Sequence, residues 1–469
     1  MSIRAILLNL ADRGVTGTYD LHRRRKKARS VYAELTNYYK KRSFLHMDAR
    51  QRKETMDHIL ELEDSFQGLD HVLAGQYRRE VKAHYLKDLG PQCYAKYAKQ
   101  PVKDKVVFLE KGGPRSAPNG YLSDVLKAQG KYRVVMIGAQ LRKRSDIEAY
   151  ENILNFYREA ADAKAIFISS ANEFLSQFDL RPETKLIQLW HGLGILKKVG
   201  YSTIENEQFG RTREEAEEYD AYRNYDFVTL PSMEQAWIFE ESMHISADSG
   251  KLLPIGVSRT DQFYNPDIIR KGYEDLHRKF PATDGKKIIL YAPTYRGRLS
   301  NASAPSAMNY RAMAQALGNE YVLLIKQHGS VRNLPGYPED LLNTFLFDMN
   351  RTPIVGAIER LLMIADICIT DYSSIAFEYA LLERPLLFFA YDLNEYYVDR
   401  GLYYKYDEIT PGPICSTTEE LIDCIQHIDR YFDKQKIIDF KNRFVGACDG
   451  HATERTIALI EQAPEPTRP

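Results

Sequence analysis

The chain has 469 residues, 44% of them apolar and 27% charged, with 64 basic side chains balanced by 64 acidic ones. That length predicts two or three domains with ordinary cores, and zero net charge argues against a nucleic-acid partner held by a global basic field. No apolar run approaches the ~18–20 residues needed to cross a bilayer. The opening run Ala5 to Ala11 is interrupted by Asn9 and lacks a cleavage site. Five cysteines (Cys93, Cys368, Cys415, Cys424 and Cys448) have no paired spacing, so they are expected to be reduced thiols in a cytosolic protein.

Residues 1–100 predict a basic helical extension. Between Leu21 and Lys53 twelve Lys or Arg side chains face two acids, Glu34 and Asp48. Ile59, Leu62, Phe66, Leu69, Leu73 and Tyr77 then recur at three- and four-residue steps, the seam of an amphipathic helix. The basic edge, with Tyr32, Tyr38, Tyr39 and Phe44 among its charges, suits an anionic membrane surface. A solvated helical face is the competing reading.

From Val102 onward short β-branched runs alternate with helical stretches. The runs are Lys105–Leu109, Arg133–Ile137, Ala165–Ile168, Leu186–Trp190, Tyr225–Leu230 and Lys251–Gly256. Pro266 to Gly285 has the composition of a linker. A second series follows at Lys287–Tyr291, Tyr321–Ile325, Thr344–Phe347, Asp366–Thr370 and Pro385–Phe389, with a helical tail beyond Tyr431. Such alternation predicts parallel doubly wound sheets. The expected fold is α/β and GT-B-like: two Rossmann-like domains facing a cleft, at 101–275 and 280–460, behind the N-terminal extension. The closing Ala463–Pro469 is expected to be disordered.

Ligands of open α/β sheets bind at the carboxyl ends of the strands, and polar clusters collect there. His191 follows one run in Leu186-Ile-Gln-Leu-Trp-His191-Gly192-Leu193-Gly194-Ile195, and His328 follows another in Lys326-Gln327-His328. An imidazole titrates near neutrality and can take a proton from a hydroxyl. Gly192 and Gly194 open the backbone to a ligand, and Lys197 and Lys198 can meet an anion. Asp371, Ser373 and Ser374 precede a helical pattern and suit either N-capping or a phosphate, with Glu378 one turn on. After Tyr291, Pro293 stops the run, Thr294 and Arg296 can donate to phosphate oxygens, and Arg259 adds a further candidate arginine. Metal-ligand spacing, a Walker loop and a Gly-x-Gly-x-x-Gly fingerprint are missing. Lys111 to Gly120 is a candidate acceptor-side loop.

Taken together, Trp190-His-Gly-Leu-Gly-Ile-Leu-Lys197, Ala292-Pro-Thr-Tyr-Arg296, Lys326-Gln-His328, Asp366 to Ile375 and Asp449-Gly-His-Ala-Thr-Glu-Arg455 resemble the CDP-glycerol glycerophosphotransferase family of teichoic-acid and capsule polyol-phosphate primases and polymerases. The resemblance runs from about Ala161 to Ile460. It implies a peripheral enzyme on the cytoplasmic face of a bacterial membrane. That enzyme would move glycerol phosphate from CDP-glycerol to a lipid-linked acceptor, with release of CMP. It also implies that His191 and His328 are catalytic. By the same resemblance Gly192, Leu193, Gly194, Ile195, Arg259, Pro293, Thr294, Lys326, Gln327, Ser373, Ser374 and Glu378 bind the donor. No resident metal is expected, although a divalent cation is compatible with the chemistry. Leu193-Gly194 replaces the Thr-Pro favoured by the family's polymerases, which brings the chain closer to the primase and ribitol-phosphate branches. Position 378 is commonly aspartate there. CDP-ribitol as donor, a nucleotide-sugar glycosyltransferase and a non-catalytic membrane scaffold are the alternatives.

Overall fold

Short strands buried on both faces read as continuous apolar runs, and here they build two parallel six-stranded sheets. The computed structural model describes residues 3–110, 117–138, 145–204, 212–297, 301–352 and 357–462. Strands β1 (Lys103–Glu110), β2 (Arg133–Gly138), β3 (Ala163–Ile168), β4 (Lys185–Gln188), β5 (Phe227–Thr229) and β6 (Leu252–Leu253) form the first sheet, in the order β2-β1-β3-β4-β5-β6. Strands β7 (Lys287–Tyr291), β8 (Tyr321–Ile325), β9 (Leu346–Asp348), β10 (Ile367–Thr370), β11 (Leu386–Phe389) and β12 (Ile414–Cys415) form the second, in the order β12-β11-β10-β7-β8-β9. The α/β, doubly wound class is as expected, and every predicted run contains a strand. In the second sheet the order reverses direction between β7 and β10, the switch point at which such sheets open a crevice.

By internal contacts the chain divides into two units. One comprises Met1–Ser116, Leu126–Lys185 and Pro464–Pro469. Its N-terminal part is helical, with helices Ile3–Lys41, Ala49–Leu69, His71–Ala83 and Gly90–Tyr97. The predicted apolar seam exists, but Asp70 breaks it into two helices. Asp70 adopts extended backbone (φ −156°), its N–H closes the first helix on the Phe66 carbonyl, and its side chain accepts the Val72 and Leu73 N–H groups that open the second. On the first helix Ala28, Val31, Leu35 and Tyr39 are buried at helical spacing, and Arg23, Arg24, Arg25, Lys26, Lys27 and Arg29 are exposed. The aromatic half of the expected membrane edge is corrected. Tyr39 and Phe44 are buried, and Tyr32 and Tyr38 pack edge-on against Phe66 and His58.

The other unit comprises Ala117–Val125 and Leu186–Ala463. Alternation along β7 fills both faces of its sheet: Ile288 and Leu290 join one apolar cluster with Val322 and Phe388, and Ile289 and Tyr291 join another with Leu323 and Ile369. The segment read as a linker is instead a helix, Pro266–Lys279. Asn265 caps it and Pro266 takes the first turn, where a missing N–H costs nothing. Its Ile268, Ile269 and Tyr273 pack on the core. The closing motif has a structural role: the Asp261 carboxylate accepts the N–H groups of Ala452 and Thr453 at the start of helix Ala452–Ala458, and Arg455 donates to the Ile255 carbonyl. Most of the acceptor-side loop candidate, and the tail expected to be disordered, lie outside the described residues.

Candidate active site

Past β4 the chain turns sharply at Trp190, whose φ of 56° lies in the left-handed region that bulky residues avoid. The buried Gln188 holds that turn: its Oε1 accepts the Trp190 N–H at 2.8 Å and its amide donates to the Tyr225 hydroxyl at 3.0 Å. His191 emerges exposed from the turn, its ring 4.6 Å from the Trp190 ring. Gln235 then grips the loop from below, accepting from the Ile195 N–H (3.0 Å) and donating to the Ile195 carbonyl (3.3 Å). Gly194 has no room for a side chain, since a methyl there would collide with the Phe377 ring. Arg259, 2% exposed, forms an ion pair with Glu378, 4% exposed, and also donates to the His191 carbonyl at 3.5 Å. Glu378 is thus a buried partner of arginine, not a surface acid.

Three adjacent strands of the second sheet, β10, β7 and β8, deliver the rest. Asp371, at the end of β10, is fully buried and caps no helix. Its Oδ1 accepts the Thr294 N–H (2.8 Å) and the Tyr372 N–H (2.7 Å), which ties the ends of β7 and β10 together across the switch point. Its Oδ2 takes Arg296 at 2.9 Å. Arg296 is also forked onto Asp392 and lies over the rings of Tyr372, Tyr391 and Tyr396. Burial works against that guanidinium, but the Asp371 and Asp392 carboxylates outweigh it and hold Arg296 above the ordinary arginine range. The expectation that Arg296 serves phosphate is therefore corrected, because both faces of its fork are taken by carboxylates. Ser374 sits at the N-cap of helix Ile375–Ala380 but makes no capping bond. With only six residues that helix has a small dipole, so an anion here would rely on side chains.

His328 is exposed at the end of β8, its ring 4.9 Å from Tyr295. Its Nδ1 accepts the Ser330 N–H at 3.1 Å, which leaves the neutral ring's proton on Nε2. Strand alternation turns Gln327 the other way: it is buried, with its amide on the Tyr337 hydroxyl and its backbone bonded to Asn350. Burial pulls Lys326 below the usual lysine range, against the opposing pull of Asp348 and Glu359.

One cavity of about 240 Å³ gathers His191, Gly192, Gly194, Ile195, Thr294, His328, Ser373 and Ser374 on its wall, together with Lys197 and Tyr372. Leu193, Pro293, Arg259, Lys326, Gln327 and Glu378 are not on that wall. The first two flank lining residues, and Arg259 and Glu378 lie beneath the His191 loop. Gln188, Gln235 and Asp392 carry no spacing signature in the sequence and come into view only with the fold, as does the role of Asp371 as a tether between β7 and β10. Among the described residues, no group of three His, Cys, Asp or Glu side chains is placed to hold a metal ion.

Residues 93–462 match the family described as CDP-Glycerol:Poly(glycerophosphate) glycerophosphotransferase. The chain is 32% identical over 319 residues to the teichoic acid poly(ribitol-phosphate) polymerase of Bacillus spizizenii (strain ATCC 23059 / NRRL B-14472 / W23), covering 67% of this chain and 49% of that one. It is 37% identical over 303 residues to the teichoic acid glycerol-phosphate primase of Bacillus subtilis (strain 168), covering 63% and 73%. The chain thus spans about half the length of that polymerase and most of that primase. Among solved structures, the wall teichoic acid polymerase TagF has the same fold, with a TM-score of 0.64 at 24% identity over 81% of this chain and 95% of that one.

Proposed function

The chain belongs to the CDP-glycerol:poly(glycerophosphate) glycerophosphotransferase family, and from that premise we propose that it transfers a polyol phosphate from a CDP-polyol to a hydroxyl of a lipid-linked teichoic-acid or capsule-type acceptor. CDP-glycerol is the first donor to test. The observation that supports this reading is the convergence of His191 and His328, from different sheets, on one cavity that also holds Thr294, Ser373 and Ser374.

The reaction is an in-line displacement at the phosphorus that bears the polyol. His191 takes the proton of the acceptor hydroxyl as its oxygen forms the new P–O bond. The bond to CMP breaks, and CMP leaves with the electron pair on its phosphate oxygen. His328, with its proton on Nε2, donates to the donor's phosphate oxygens, and Thr294, Ser373 and Ser374 hydrogen-bond the diphosphate. Lys197 adds positive charge from the same wall. Positioning and charge stabilisation account for most of the rate in such transfers. Arg259 and Glu378 serve the donor site through the loop they hold, and Lys326 and Gln327 set the direction of His328. Residues 280–460 supply the donor's phosphate contacts and residues 101–275 supply the base. The exposed arginines and lysines of the first helix suit the anionic cytoplasmic face of a membrane.

A second donor, CDP-ribitol, is favoured by the similarity to a ribitol-phosphate polymerase and by Leu193-Gly194 after the first histidine. Incubation with CDP-glycerol, CDP-ribitol and UDP-sugars, with detection of CMP and of the extended acceptor, separates the readings. Turnover of a UDP-sugar alone would overturn polyol-phosphate transfer. His191→Ala should cut CMP release by about 10²–10⁴, the worth of a positioned proton-transfer group, and His328→Ala by about 10²–10³, the worth of one charge-stabilising donor, each without loss of fold.

A further inference from the structure

The loop that carries His191 runs directly into a second cavity. Val199 lines the histidine cavity, and Gly200, the next residue, lines one of about 200 Å³ bounded by Tyr201, Thr203, Ala216, Tyr219 and Tyr222. Successive residues of one loop thus contribute to both walls. The junction is held firmly: Gly200 has φ 55°, and a methyl there would collide with the Ser242 carbonyl of helix Ala236–Met243. Tyr201 stacks on His244 at 3.9 Å and 16°, and its hydroxyl donates to the Ala216 carbonyl.

The two cavities differ in chemistry. The first carries histidines, a lysine and serines, partners for phosphate. The second has no charged side chain among its described lining residues, only tyrosine rings, a threonine hydroxyl, one isoleucine and small residues. Rings with hydroxyl tips present an apolar face and a polar rim, which matches a neutral ring bearing hydroxyls and mismatches a nucleotide diphosphate. The volume lies below the ~300–1,000 Å³ of pockets for drug-sized ligands, enough for a single ring.

We propose that this tyrosine-lined cavity seats a neutral saccharide or polyol unit of the acceptor, next to the base that deprotonates the acceptor hydroxyl. The proposal rests on the transfer reading above and adds the acceptor's binding site to it. Tyr201, Tyr219 and Tyr222 stack or hydrogen-bond the unit, and the Val199–Gly200 link passes its reactive end toward His191.

Saturation-transfer NMR on the full chain, with neutral methyl glycosides and CMP as separate probes, tests it. Ala216→Leu fills the cavity from a half-exposed position, and Tyr222→Ala removes part of its wall. Both should lose the glycoside signal and keep the CMP signal, and His191→Ala should keep the glycoside signal. With a soluble acceptor, Ala216→Leu should raise the acceptor KM about tenfold or more, equivalent to ~1.4 kcal/mol, and leave the donor KM in place. No glycoside signal in the unaltered chain, or one untouched by both substitutions, would overturn the site. A chain that binds glycosides at this cavity but turns over no CDP-polyol would keep the site and sink the transfer reading. Turnover whose acceptor KM ignores Ala216→Leu would do the reverse.

Discussion

Asp371 does more for the site than any residue that touches the cavity, because one carboxylate fixes the ends of two strands and an arginine at once. Breaking a buried ion pair from one side costs about 3–5 kcal/mol. Since Arg296 keeps Asp392, Asp371→Asn should fall near the low end of that range in urea unfolding. Asp371→Ala, which also removes the acceptor oxygen, should raise the donor KM as well, because Thr294 and Tyr372 then lose their common tether. Gly194→Ala should destabilise by about 1–3 kcal/mol through overpacking against Phe377 and slow CMP release as the His191 loop shifts. The two histidines should respond differently to an amide. His328→Gln keeps an N–H donor and should outperform His328→Ala, whereas His191→Gln cannot accept the acceptor's proton and should match His191→Ala. Equal loss in both glutamine variants would sink the division of roles. His191, His328, Thr294 and the serines were legible in the sequence because each follows an apolar run, and parallel strands have a fixed address for ligands. Asp371's pairing with Arg296 was not, since the two lie 75 residues apart and no spacing rule joins them.

At the scale of elements, apolar runs bounded by polar clusters foretold eleven of the twelve strands. They missed β12, whose Ile414 and Cys415 directly follow Pro411-Gly412-Pro413 and stand in no longer apolar run. The linker reading of 266–285 failed because Pro266 was taken as a breaker where it starts a helix, a distinction that only its Asn265 cap resolves. The N-terminal helices hold to helix Asp146–Ala160 through two buried carboxylates. Glu151 receives the fork of Arg42 at 2.6 and 2.7 Å and the Tyr85 hydroxyl at 2.7 Å. Glu63 accepts the Asp146 N–H at 2.7 Å and the Tyr77 hydroxyl at 2.8 Å. Burial, reinforced by the neighbouring Asp146 carboxylate, lifts the Glu63 carboxyl from 4.5 to about 7. A carboxyl raised on folding gives its full stabilisation below its unfolded pKa and loses it as pH climbs through the folded one. The first unit should therefore weaken from pH ~4.5 to ~7, by on the order of 3 kcal/mol from this group. Glu63→Gln should flatten that slope in urea melts taken across the range, and an unchanged slope would assign the loss to other groups.

For the whole molecule, the telling quantity is where the charge lies, since the total is zero. Arg23, Arg24, Arg25, Lys26, Lys27 and Arg29 are exposed on one helix whose buried stripe is Ala28, Val31, Leu35 and Tyr39. With Tyr39 and Phe44 turned inward, the stretch from Asp20 to Lys41 has charge to offer a membrane and, among its described side chains, few apolar ones to insert. No helix among the described residues is long and apolar enough to cross one. Attachment should then be electrostatic, at about 1 kcal/mol per basic residue near anionic headgroups, and screened once the Debye length falls to ~3 Å near 1 M salt. Co-sedimentation with anionic vesicles should be strong at low salt, lost at high salt and missing with neutral vesicles. Replacing those six residues by glutamine should abolish it, yet leave turnover of a soluble acceptor intact, because none of them lines the cavity. Binding that survives salt would require an apolar contribution from outside the stretch Asp20 to Lys41, where Ala28, Val31, Leu35 and Tyr39 are buried.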